Sequence, residues 1–77
     1  MSNDMQIIVT DLDSKNHYIA LGTDADVEKL RCKIAQKTGV HQEDFDLTFG
    51  GTKLQDGKLL KELGIREGST VQMISKS

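Results

Sequence analysis

Val27, Leu30 and Ile34 recur at three- and four-residue spacing inside Asp26–Gly39, with Glu28, Lys29, Lys33, Gln36 and Lys37 between and beyond them. That spacing puts the apolar residues on one stripe of an amphipathic helix. Asp26 is a suitable N-cap, because its carboxylate can accept a first-turn N–H. Gly39 can adopt the left-handed conformation that ends a helix, with Val40 folding back as its hydrophobic contact. The other apolar stretches are short and mostly alternate with period two. Met5, Ile7 and Val9 face one way, and Gln6, Ile8 and Thr10 the other. His17–Leu21 alternates again, so the two segments predict an antiparallel hairpin around the polar turn Asp11–Asn16. Phe45, Leu47 and Phe49 point inward, while Asp46 and Thr48 point outward. Gly50-Gly51 then turns the chain into a short return strand, Thr52–Leu54. Leu59–Leu63 reads as a short helical turn closed by Gly64, and Ile65 as an inward plug. In the last strand, Thr70–Ile74, Val71 and Met73 point inward, Gln72 and Ile74 outward.

One helix can bury its stripe only against the apolar face of the sheet. The last strand belongs beside the first and parallel to it, since the intervening chain is long enough for a crossover. The pattern therefore predicts an α+β domain of order ββαββ(short helix)β, with one helix across one face of a mixed sheet. Residues 5–76 form the domain, and residues 1–4 are expected to be a disordered polar leader.

Composition narrows the function classes. A chain of 77 residues buries only about 60% of its unfolded surface, which leaves a thin core and no deep cavity. With 36% apolar residues, few aromatics and no Trp, that core is aliphatic. A formal charge of −2 argues against a nucleic-acid surface, which needs a net basic face. A lone cysteine, Cys32, cannot form an internal disulfide, and no apolar run reaches membrane-spanning length. A cytoplasmic or nuclear location is the expectation, with no cofactor, no nucleic acid, no membrane and a monomeric state.

Candidate chemistry is sparse. Cys32 with His17 or His41 would need a base, an orienting group and a pocket, and the spacing matches neither C-x-x-C nor H-x-x-x-H. His17 occupies an inward strand position and reads as a core histidine. Gly50-Gly51-Thr52-Lys53 lacks the leading glycine of a phosphate loop, and Asp11-x-Asp13 lacks the later ligands of a calcium loop. No metal is expected, and no catalytic residue. What remains is a surface. Ile8 and Ile74 project from the face away from the helix, with Leu12 at the hairpin tip, and such a set leans towards binding.

At this point several stretches resemble the ubiquitin family in unbroken register. They are Met5-Gln6-Ile7-Ile8-Val9, Lys33–Val40, Leu47-Thr48-Phe49-Gly50-Gly51-Thr52-Lys53-Leu54-Gln55-Asp56-Gly57 and Leu63-Gly64-Ile65-Arg66-Glu67-Gly68-Ser69-Thr70-Val71. The resemblance implies the β-grasp fold in a sequence diverged from ubiquitin. It also implies that the recognition patch falls on Leu12, Thr48, Gln72 and Ile74, with Asp46 in place of a basic neighbour and Gly51 nearby. With Ile8, these are the expected partner-binding residues. The central aliphatic position holds Thr48, predicted to sit between Ile8 and Ile74. Two positions that the resemblance implies as chain-linking lysines hold Thr52 and Glu67, whereas Lys15, Lys33 and Lys37 keep a lysine. Arg31 and Asp56 occupy positions where the resemblance implies a structural ion pair.

Modifiers of this family end in a Gly-Gly arm, and the chain as written ends Ser75-Lys76-Ser77 without a glycine after Gly68. The expectation is therefore a non-enzymatic interaction module, the N-terminal domain of a larger ubiquitin–proteasome-pathway adaptor. Its implied partners are proteasome receptor subunits or UBA- and UIM-type helices. The alternatives are a modifier whose Gly-Gly tail is missing from this sequence, and a domain that masks its own parent protein.

Overall fold

A computed structural model describes residues 4–76; the other three leader positions, 1–3, and Ser77 lie outside the described residues. The chain folds as β1 (Asp4–Thr10), β2 (Asn16–Gly22), α1 (Val27–Thr38), β3 (Phe45–Phe49), β4 (Thr52–Lys53) and β5 (Thr70–Ser75). Two 3₁₀ turns, Gln42–Asp44 and Leu60–Leu63, complete it. Asp4 is not part of a leader. It opens β1 opposite Gly22, because the β2 partner strand extends far enough to pair with it.

The sheet runs β2-β1-β5-β3-β4, with β1 and β5 parallel and the other neighbours antiparallel. The helix begins and ends where its caps dictate. Asp26 Oδ1 accepts the Lys29 N–H at 2.8 Å, and Gly39, at φ +79°, donates its N–H to the Ala35 carbonyl. Gly50 and Gly51 both have positive φ, as a two-residue turn joining paired Phe49 and Thr52 requires.

Val27, Leu30 and Ile34 are fully buried against Ile7, Val9, Leu47 and Val71 in one core cluster. Phe45, Leu60 and Ile65 close its ends. Phe49 faces the same core but remains half-buried at its edge, under the short 3₁₀ segment that ends at Gly64. Every buried residue among those described is apolar. Among the described residues no helix or loop layer covers the opposite face of the sheet, and that face holds the residues of interest.

Candidate functional site

Strand register decides which outward residues meet. Thr10 pairs with Gln72, and Gln72 in turn with Thr48, giving a polar row across β1, β5 and β3. One step along β5, Ile74 pairs with Asp46. Leu12 lies two residues beyond Thr10 on the same side as Ile74, at the hairpin tip, and is 47% exposed. Leu12, Thr48, Gln72, Ile74 and Asp46 therefore form one patch. Gly51 sits in the β3–β4 turn, at the Thr48 end.

Ile8 does not belong to that patch. It stands opposite Tyr18 on β2 and Thr70 on β5. Thr70 and Ile74 are four residues apart on one strand, about 13 Å at the usual rise. Thr48 does lie in the intervening row, but two strands away from Ile8. Alternation along a single strand gives a residue's face; its neighbours depend on register, and register here separates two apolar spots with a polar row. The second spot is Ile8 with Tyr18, a residue 56% exposed. Tyr18 was legible, because His17, Ile19 and Leu21 on the inward side leave Tyr18 and Ala20 outward.

Electrostatics modify the patch. Asp46 Oδ2 lies 3.5 Å from Lys53 Nζ on the neighbouring β4, so the acidic side chain beside Ile74 is ion-paired. Beneath the hairpin tip, Asp11 organises the loop that carries Leu12. Its Oδ1 accepts the Asp13 and Lys15 N–H groups at 2.8 and 2.9 Å, an Asx-type turn. Its Oδ2 lies 2.6 Å from His17 Nε2. An ionised carboxylate only accepts, so His17 is the donor.

His17 thus faces inward opposite Val9, yet it is not a core histidine: about a quarter of its side chain stays exposed at the rim, satisfied by Asp11. The same carboxylate commitments leave Asp11 engaged by the protein's own donors. The His17 hydrogen bond, helped by those of Lys15 and Asp13, holds the Asp11 carboxyl below its usual range, against a smaller opposing effect of desolvation. Because the folded value is depressed, this contribution to stability is present above the unfolded value and is lost as pH falls through the folded one. The Asp11 carboxyl carbon should therefore titrate by NMR below the reference value near ~3.9. In Asp11→Asn the acid-side loss of loop order should flatten; an unperturbed midpoint would remove Asp11 from this role.

Cys32 and His41 border the same open depression at the C-terminal end of α1. No hydrogen bond joins them among the described residues; the Cys32 sulfur accepts from Gln36 Nε2, at 4.0 Å. The described residues hold no cluster of three or more His, Cys, Asp or Glu able to seat a metal. No helix among them is long and apolar enough to cross a membrane.

A five-stranded mixed sheet crossed by one helix, with this strand order, is the β-grasp arrangement, and the family model described as "Ubiquitin family" matches residues 7–77. The chain belongs to the ubiquitin family. Human "Ubiquitin D" is 32% identical over 57 residues, a match covering 74% of this chain and 34% of that protein. The chain thus aligns with about a third of that relative's length. Proteins of the ubiquitin family are generally non-catalytic.

Within this ubiquitin-family fold, Arg31 Nη2 on α1 lies 3.5 Å from Asp56 Oδ1 in the turn after Leu54. The Arg31 side chain is 13% exposed and the Asp56 side chain 54%. Arg31 Nε is buried without a hydrogen-bond partner. Screening at Asp56 puts the expected coupling energy of the pair within the ~0–1 kcal/mol of a surface ion pair. Arg31→Ala should cost more than Asp56→Ala, through lost packing of the aliphatic stem. A double-mutant cycle in urea reads both quantities, and equal single-mutant costs would contradict this assignment.

Proposed function

We propose that this ubiquitin-like domain is a non-enzymatic protein-interaction module of a larger ubiquitin–proteasome-pathway adaptor in the cytoplasm or nucleus. The observation that carries the reading is the uncovered patch of Leu12, Thr48, Gln72 and Ile74, two apolar side chains along one side of a polar row. Family membership and the greater length of human Ubiquitin D support a module within a longer chain. The partners proposed are UBA- or UIM-type helices, or the proteasome receptor subunits that present them. Such a helix lays one apolar stripe across the sheet face.

Thr48 sets the expected affinity. A partner side chain meets a hydroxyl there, and burying it unpaired costs on the order of 1–3 kcal/mol. Binding to a UIM peptide is expected at roughly tens to hundreds of micromolar, worth about 5–6 kcal/mol. Thr48→Ile should tighten it several-fold by adding apolar burial at about 25 cal/mol per Å². Ile74→Ala should weaken it, and neither change should move the unfolding midpoint much. An NMR titration checks the reading: shifts should centre on Leu12, Thr48, Gln72 and Ile74. Shifts confined to Ile8 and Tyr18, or to the helix, would overturn it.

A further inference from the structure

The turn after Leu54 contains a chemical weak point. Of the aspartates and asparagines in the chain, only Asp56 is followed by glycine. The backbone nitrogen that follows an aspartate can attack the side-chain carboxyl carbon and close a five-membered imide. A side chain on the following residue hinders that approach. At Gly57 nothing does: a Cβ placed there would meet no heavy atom within 4 Å. Residues 55–58 are all exposed, so water reaches the site freely.

The backbone at this turn is also unengaged. Leu54 donates its N–H to the Leu47 carbonyl, and the Lys58 carbonyl accepts from Val27. Between these anchors, among the described residues, no backbone group of Gln55, Asp56 or Gly57 bonds to another backbone group. The Gly57 nitrogen is therefore not tied up as a donor. Other aspartates are committed elsewhere. Asp11 accepts three donors, Asp26 caps α1, and Asp24 and Asp46 pair with Lys61 and Lys53. Asp13 precedes Ser14, whose N–H donates to the Asp11 carbonyl. Asp56 is held by Arg31, whose Nη2 lies 3.5 Å from its Oδ1 and draws the carboxylate towards α1.

We propose that Asp56 and Gly57 form a self-modification site, which converts to an isoaspartyl linkage in the folded domain, with Arg31 as its guard. The Gly57 nitrogen bonds to Cγ of Asp56, and a carboxyl oxygen leaves as water together with the amide proton. Water then adds to one of the two imide carbonyls. Opening at the former side-chain carbonyl restores aspartate. Opening at the former backbone carbonyl leaves the chain running through Cγ and frees that carbonyl as a carboxylate. One water is lost and one regained, so the net change is an isomerisation without oxidant or reductant. The product lengthens the main chain by one methylene and moves the carboxylate away from its place opposite Arg31. The turn then loses its tie to α1, and the Val27–Lys58 bond is the next anchor along the chain. The freed carboxylate is the group that an isoaspartyl methyltransferase esterifies, so the partner class is a repair enzyme that uses S-adenosylmethionine. This site is remote in sequence from the Leu12–Ile74 patch, and the inference stands independently of it.

The test ages the purified domain at neutral pH and measures methyl transfer from labelled S-adenosylmethionine by an isoaspartyl methyltransferase. Wild type should accept methyl groups in proportion to its age, and electron-transfer fragmentation should place the isoaspartate at Asp56. Asp56→Glu, which needs a slower six-membered closure, should stay unmethylated. Arg31→Met keeps the apolar stem and removes the guanidinium. It should age faster by up to about fivefold, the factor that corresponds to ~1 kcal/mol for such an ion pair. Arg31→Lys should fall between the two. In the modified fraction, exchange of the Val27 amide should rise. Wild type and Asp56→Glu decide the site whatever the stability of the Arg31 variants. No methyl acceptance by aged wild type, isoaspartate centred on another residue, or accumulation only in urea would overturn the proposal. A folded Arg31→Met that aged no faster than wild type would remove Arg31 from the guarding role.

Discussion

Phe45→Ala is expected to cost about 3–5 kcal/mol, the range for emptying a buried aromatic site. Phe45 is fully buried and stands among the largest side chains of the core, at the start of β3 opposite Ser75. The other fully or nearly buried core residues are aliphatic or Met, and the second ring, Phe49, is only half-buried at the core edge. A domain of this size holds roughly 4–12 kcal/mol of stability in total, at ~0.05–0.15 kcal/mol per residue. One substitution therefore removes from a quarter to all of it. In urea, with a slope near ~1 kcal/mol per M, the midpoint should fall by about 3 M or the variant should be unfolded at the outset. A loss under ~1 kcal/mol would mean that β3 and β5 collapse onto the vacancy, and that the core is more plastic than its packing implies.

Leu30→Ala comes next, at about 2–5 kcal/mol, against a near-zero effect for Lys29→Ala one position earlier. The contrast tests what holds the helix. α1 has twelve residues, a length that is marginal in water on its own. Its caps contribute, with Asp26 worth about 1 kcal/mol, but they cannot replace the packing of Val27, Leu30 and Ile34 on the sheet. Lys29 is exposed and its backbone N–H, not its side chain, meets Asp26. If Lys29→Ala matched Leu30→Ala in an urea titration, helix propensity and charge would outweigh burial, and the packing account of this fold would be wrong. The consequence reaches the proposed function, because Ile74 and Thr48 are aligned only while β5 and β3 stay paired over the helix.

Much of this was legible residue by residue. The helix stripe, its Asp26 and Gly39 caps, the Gly50-Gly51 turn and the inward and outward positions of each strand are local properties. Spacing and backbone freedom determine them before any long-range contact forms. The parallel pairing of β1 with β5 also followed from the sequence, through the length of the crossover and the need to bury one stripe. Asp4 was the local exception: nothing in a polar residue announces that a partner strand will reach it.

Tertiary structure alone decided which residues became neighbours. Ile8 and Ile74 look alike in sequence, both β-branched and both outward, yet register sets them apart and gives Ile8 to Tyr18. Asp46 next to Ile74 reads as a bare charge until β4 brings Lys53 alongside. His17 reads as a core residue until the turn folds Asp11 back over it. A side chain's face follows from a period of two or 3.6, which a sequence contains. Its neighbours across the sheet follow from pairing between segments sixty residues apart, which only the assembled backbone settles.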